Sequence, residues 1–478
     1  MDVTSLHFIG FAAFAAGIYH LSRSVMWRRT VLLIANLIFL ATLSMHWKSY
    51  LPLLAFLALG YFGVWMMQRL RSHLAYVLLL GIAIFLFVCL KQYRFLPESL
   101  FLRFSYVTVG LSYIFFRVLQ MIIDARGGTL TNRIGVISYL NYTLNFTTLI
   151  AGPIQLYEDY AASQAGSQLT RLTVGRAAAA IERVAIGFFK VRVLSMFALA
   201  LHGAAIGDLS GSQRVAPRVL TAALIATIYP FYLYFNFSGY CDIMIGLARF
   251  LELDLPENFD RSFASTSFLE FWGRWHMTLS NWLKAYVYTP LVKVLMQKFP
   301  SAAVEPFLGV FAFFVTFFLI GAWHGQTSEF LFYGVLLGLG ISLNKLYQVL
   351  MVKSLGRKRF KALTADASYE AFARGLTFTY FAFSLLCFWS TWPQMRRLAG
   401  VLSLSQNLAV WCVIWLGATA TLALWESLRT WALNLRWQGA PLVLAVPVRA
   451  AWATYLSILG LLIIYDVHVP APVLYRIF

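Results

Sequence analysis

Two short stretches carry side chains that could do chemistry in an otherwise oily chain. In FWGRWHMTLSN, Phe271–Asn281, an arginine, a histidine, a serine and an amide (Arg274, His276, Ser280 and Asn281) sit among tryptophans. On a helix, His276 and Ser280 share a face at i,i+4. In FFLIGAWHGQTSEFLFYG, His324 ends a strongly apolar run and is followed by Gly325, Gln326, Thr327, Ser328 and Glu329 before the next apolar run begins. There a helix yields to a turn, and Gly321 and Gly325 permit close backbone approach on either side. A neutral imidazole takes a proton from a hydroxyl near pH 7, and surroundings of low dielectric help keep it neutral. The competing readings are plain. His324 could cap a helix end or bond across helices, and His276 could be an interfacial or structural histidine, although ionisable residues at membrane depth tilt towards function.

Asp242 interrupts another apolar stretch, YFNFSGYCDIMIGLARF, with Arg249 seven residues on along the same face. A lone buried carboxylate is costly, so a paired or water-facing Asp242 is expected, either along a substrate path or locking helices together. No nucleophile elbow accompanies the histidines. Two histidines with no acidic partner at a readable spacing argue against a metal site. Cys89, Cys241, Cys387 and Cys412 are scattered, with no metal or bridge spacing, and read as free thiols.

The elements that must position these residues are set by composition. Of 478 residues, 60% are hydrophobic, 17% aromatic and 12% charged, more apolar surface than a soluble domain needs. Windows such as Arg29–Met45, Leu51–Met67 and Leu74–Leu90 run about 17 residues with hardly a charge, the length of a membrane span. The expected fold is all-α, a polytopic membrane bundle of about 10 to 12 crossings, with re-entrant or interfacial helices around a central chamber. It is expected to be one domain over 1–478, with N-terminal helices to 103, a core over 104–350 and C-terminal helices from 351. Expected spans include 30–46, 104–123 and 138–151, besides longer ones later in the chain. The net charge of +19 lies in short clusters between apolar windows: Arg23, Arg28 and Arg29; Arg69 and Arg71; then Lys353, Arg357, Lys358, Arg359 and Lys361. That is the pattern of topology and anionic-lipid contact, and it excludes nucleic acid as the partner. With the first clusters inside, the N-terminus lies outside. MDVTSLHFIGF lacks a basic leader and reads as the outer end of a retained span. Three places break the oily pattern: Asp124–Gly135, Ala162–Arg171 and Leu251–Val294. The last is too polar to cross lipid and too aromatic for a plain aqueous loop, so it lies in the interface or re-enters where protein buries it.

Three blocks, GYCDIMIGLARFLELDLPENFDRSF, FWGRWHMTLSNWLKAYVYTPL and IGAWHGQTSEFLFYGVLLGLG, resemble in order and spacing the membrane-bound O-acyltransferase family. The likeness is to its bacterial branch, which includes the alginate O-acetylation and teichoic acid D-alanyl transfer membrane proteins. VGLSYIFFRVLQMIIDARGG and LIAGPIQLYEDY resemble two weaker blocks, and the likeness covers about Val109–Lys345. The resemblance implies that His324 is the essential intramembrane histidine and His276 the second one. It implies transfer of an acyl group, acetyl ahead of D-alanyl, from a cytoplasmic thioester (acetyl-CoA or an acyl carrier protein) used as substrate, with no bound cofactor. The acceptor would be a polysaccharide or cell-wall polymer, reached directly or through an extracytoplasmic protein, across the bacterial inner membrane. His324 would be the general base, with a transient acyl-histidine as a variant. Arg274, Trp275 and Ser280 would line the chamber, Asn281 or Trp323 would help place the carbonyl, and Asp242 would be structural. A transporter or flippase of a lipid-linked precursor is the rival from another class. Paired interrupted helices in two related halves would favour it, and none are visible.

Overall fold

The computed structural model describes residues 3–70, 72–130, 132–165, 171–209, 214–437, 440–441 and 446–466. Arg71 and the middle of Ala162–Arg171 lie outside the described residues. The described chain is helical almost throughout, apart from a two-residue antiparallel ladder pairing Arg436 with Pro441 and Trp437 with Ala440. Eight helical stretches among the described residues are long and apolar enough to cross a membrane, among them Val215–Phe250, Glu305–His324, Ser328–Leu355 and Leu404–Asn434. This is a polytopic membrane architecture. Leu6–Tyr19, Val25–Ala41 and Leu111–Gly127 are further, shorter helices of 14, 17 and 17 residues.

The described residues form two compact units. One gathers the chain up to Phe188 with Gly239–Glu257; the other holds Phe189–Ser238 and Asn258–Ile463. In the first unit the expected span over 138–151 is replaced by a short helix, Val136–Thr143, followed by buried non-helical chain. Backbone polar groups away from water need partners, and here side chains supply them. Arg117, fully buried, donates to the carbonyls of Tyr142 (3.1 Å), Thr143 (2.8 Å) and Thr148 (2.9 Å) and to the Thr148 hydroxyl (2.6 Å). The Oδ1 of Asn36 accepts from the Phe146 N–H at 2.8 Å.

Asp242 also belongs to this unit and is paired, but not with Arg249. Its Oδ1 accepts from the Arg183 Nε at 3.0 Å, and Arg183 reaches Glu257 as well. The pairing is possible because two helices cross at backbone contact. A Cβ at Gly187 would lie 2.6 Å from the Gly239 carbonyl oxygen, and one at Gly246 would lie 2.6 Å from Val184.

In the second unit, Glu305–His324 and Ser328–Leu355 form an antiparallel hairpin with glycines at the seam. A Cβ on Gly321 would fall 2.2 Å from the Gly334 nitrogen, and one on Gly334 2.5 Å from the Phe318 carbonyl oxygen. Small residues at such crossings are how helices pack tightly where lipid removes the hydrophobic drive. Ala367–Ser384 runs antiparallel to Leu404–Asn434: Gly375 lies against Thr419, and the Phe383 and Trp411 rings stack at 4.1 Å.

Candidate active site

The segment Asn258–Tyr288 is not one helix. Phe268–Trp272 and Met277–Leu283 are short helices, and a π-helical turn, Lys284–Tyr288, follows. Between the two helices the chain doubles back on itself. Phe259 bridges Trp275, and the Asp260 N–H donates to the Arg274 carbonyl at 2.9 Å. His276 sits at the bend with φ +47°, a left-handed conformation rare for a residue with a side chain.

That bend fixes the imidazole. His276 is 3% exposed, and its Nδ1 lies 3.2 Å from the Asn258 Oδ1. The same oxygen accepts from the Thr278 N–H (3.2 Å) and hydroxyl (2.8 Å). A backbone N–H can only donate, so the atom it meets is the amide oxygen, and an amide oxygen can only accept. Nδ1 therefore carries the proton and Nε2 presents a lone pair. Nε2 is buried and has no hydrogen-bond partner among the described residues. Burial pushes the His276 pKa well below the ordinary 6.5, and the neighbouring His324 lowers it further. Phe237 closes one edge, its ring 4.8 Å from the imidazole.

His324 ends the Glu305–His324 helix and is buried at 8% exposure. Gly325 lets the chain leave, because a Cβ there would lie 2.0 Å from the Phe330 ring. Aromatic rings surround the imidazole: Trp323 at 4.8 Å, Phe388 at 5.1 Å and Tyr333 at 5.9 Å. The polar turn that follows has a separate task. Glu329 accepts from the Trp392 N–H at 3.1 Å, and the Ser328 hydroxyl accepts from the Trp392 indole at 2.8 Å.

The structure thus brings His276 and His324 into electrostatic reach within one unit, with Trp323 beside His324. Trp275 is buried next to His276 and stacks on Phe271 at 5.6 Å. Ser280 is half-buried, with its hydroxyl oxygen shielded. Arg274 turns to Glu270 in a 2.9 Å ion pair, both side chains about a third exposed. Asn281 is exposed, and Asp242 lies in the other unit. Sequence reasoning missed Asn258, Phe237, Tyr333 and Phe388. Asn258 stands in the Leu-Pro-Glu-Asn-Phe block, but its bond to His276 spans 18 residues and has no local signal.

A polytopic helical protein with two buried histidines in reach of each other is the setting in which the comparisons fall. The membrane-bound O-acyltransferase (MBOAT) family model matches residues 127–369, and the chain belongs to that family. It is 28% identical to the teichoic acid D-alanyltransferase of Bacillus subtilis, over 48% of this chain and 56% of that one. It is 32% identical to the peptidoglycan O-acetyltransferase of Helicobacter pylori, over 44% of this chain and 38% of that one. Against the probable alginate O-acetylase AlgI of Pseudomonas aeruginosa it is 29% identical, over 69% and 63%. The chain spans between 38% and 63% of the lengths of these three relatives.

Proposed function

We propose that this chain transfers an acyl group, acetyl ahead of D-alanyl, from a cytoplasmic thioester towards hydroxyls of an exported polysaccharide or cell-wall polymer. The thioester of acetyl-CoA or of a carrier protein is the donor, and an extracytoplasmic protein takes part on the acceptor side. The observation that carries the reading is the pair of buried imidazoles, one presenting a shielded Nε2 lone pair, in a chain of this family. In this reading His324 removes the proton as the acceptor oxygen attacks the thioester carbonyl. The tetrahedral adduct then collapses with cleavage of the C–S bond, and the imidazolium of His324 returns the proton to the departing sulfur. His276, held neutral, accepts a hydrogen bond at Nε2 from a second, non-reacting hydroxyl of the acceptor and so orients the one that His324 deprotonates. Trp323 and Trp275 keep water away from the thioester, and Arg274 braces the bend through Glu270.

D-alanyl transfer is supported by the similarity to a teichoic acid D-alanyltransferase. The test is turnover of acetyl-thioester and D-alanyl-thioester by purified protein, wild type against His324→Ala. Loss of about 10²-fold or more is expected in the variant. Unchanged turnover would remove His324 from the mechanism. The ester-linked group that disappears from envelope polymers of cells carrying His324→Ala decides between acetyl and D-alanyl.

A further inference from the structure

A cavity in the histidine-bearing unit, lined by neither histidine, has its own chemistry. It encloses about 470 Å³ between the Leu404–Asn434 helix and the turn Ser262–Ala264. Phe231, Tyr234, Phe263 and Trp425 supply apolar walls. Arg261, Glu426 and Arg429 supply charge, with Ser262 and Thr421 as neutral polar groups. Arg261 is ion-paired with Glu426, so those two charges cancel locally. Arg429 is half-buried and forms no hydrogen bond or ion pair among the described residues, which leaves the cavity one uncompensated guanidinium. Behind the wall, the Lys190 ammonium lies 5.9 Å from the Tyr234 ring centre. The turn itself is rigid: Arg261 is left-handed at φ +48°, and the Arg374 Nε donates to the Ala264 carbonyl at 3.1 Å.

The cavity opens beside an exposed apolar face. Trp425 on its rim is 63% exposed, and Leu424, Leu428 and Trp431 beside it are exposed by half or more on a helix long and apolar enough to cross a membrane. The antiparallel pairing of Leu404–Asn434 with Ala367–Ser384 sets Glu426 and Arg429 at the end where Lys353, Arg357, Lys358, Arg359 and Lys361 gather. Basic residues at a span end mark the leaflet side where anionic lipid is held.

We propose that this cavity is a binding site for an anionic phospholipid. Its phosphate is gripped by Arg429, and an acyl chain lies along Leu422, Trp425 and Phe231. A guanidinium matches a phosphate diester in geometry and is lightly hydrated, so it can hold one at the edge of the apolar zone. A soluble anion would reach Arg429 only past exposed tryptophan and leucine. An amphiphile arrives along that same surface.

The test is native mass spectrometry of the purified full-length protein in detergent, titrated with dioleoylphosphatidylglycerol, with dioleoylphosphatidylcholine, and with inorganic phosphate as competitor. Phosphatidylglycerol is expected to be retained about tenfold more strongly than phosphatidylcholine, a difference of about 1.4 kcal/mol. Arg429→Gln should erase that preference and Arg429→Lys should keep most of it. Arg397→Gln, a charge change at the other end of this unit, should leave it intact. Thr421→Trp, which fills the cavity, should lower retention of both lipids. The proposal is overturned if Arg429→Gln and wild type retain phosphatidylglycerol alike, if both lipids bind equally to wild type, or if equimolar phosphate displaces the lipid. Gel filtration of each variant separates loss of the site from loss of the fold.

Discussion

Three donors converge on the Asn258 Oδ1, and the consequence is a histidine held as the neutral Nδ1–H tautomer, with Nε2 left as an acceptor. Its folded pKa is depressed by burial and by His324. Below the ordinary value of 6.5 the unfolded chain takes up a proton there that the folded chain refuses. The stability His276 contributes is therefore full above pH 6.5 and is lost as pH falls from 6.5 towards the folded value, by up to about 1.4 kcal/mol per pH unit. Thermal unfolding in detergent between pH 7.5 and 5 should show this fall, and His276→Gln should flatten it. A wild-type curve that the substitution leaves unchanged would remove His276 as the source. Asn258→Leu should cut thioester turnover by about tenfold or more without moving the donor KM, because the ring is freed to rotate and change tautomer. An equal rise in KM would make Asn258 a binding residue instead. The histidines themselves were legible in sequence, since each interrupts an aromatic, apolar run. Their surroundings were not. Phe237 reaches His276 from 39 positions upstream, and Phe388 reaches His324 from 64 downstream, so no local pattern could announce either ring.

Helix spacing in the sequence located the long elements, because an apolar run of span length has few other uses. It failed over 138–151, where the helix ends at Thr143 and the chain that follows is not helical. The reason is the buried Arg117: a guanidinium that can satisfy three carbonyls lets the chain give up its own helical hydrogen bonds. Arg117→Leu should destabilise the protein by at least about 3 kcal/mol, because several buried carbonyls lose their donor together. Arg117→Lys should rescue little, an ammonium being unable to span the three acceptors. Thermal unfolding of the purified variants measures both. The glycine seam obeys packing logic of a different kind. At Gly321 the neighbour is backbone, the Gly334 nitrogen 2.2 Å from where a Cβ would stand, so nothing can rotate aside. Gly321→Val should force the hairpin apart and lower stability by about 1–3 kcal/mol or more. It should also reduce turnover, since His324 stands three residues on. Gly81→Val, where a Cβ meets nothing within 4 Å, is the control that should change neither.

At the scale of the whole molecule the charge distribution sets orientation. Ser328–Leu355 has 28 residues, about 42 Å at helical rise, against about 30 Å of hydrocarbon, so both of its ends leave the apolar zone. One end runs into Lys353, Arg357, Lys358, Arg359 and Lys361; the other begins at the turn that follows His324. Retaining five cations on the cytoplasmic side is favoured over translocating them, so the basic end is expected inside and the His324 turn nearer the outer face. The same rule places the start of Leu404–Asn434 outside, because that helix runs antiparallel to Ala367–Ser384, which follows the basic cluster. In a background with Cys412, the exposed one of the four thiols, changed to serine, Lys358→Cys should react with a membrane-impermeant maleimide only once the inner membrane is opened. Ser405→Cys should react in cells whose inner membrane is intact. The reverse pattern would invert the chain. Labelling of both cysteines from one side would mean that Ala367–Ser384 with its following short helices does not cross.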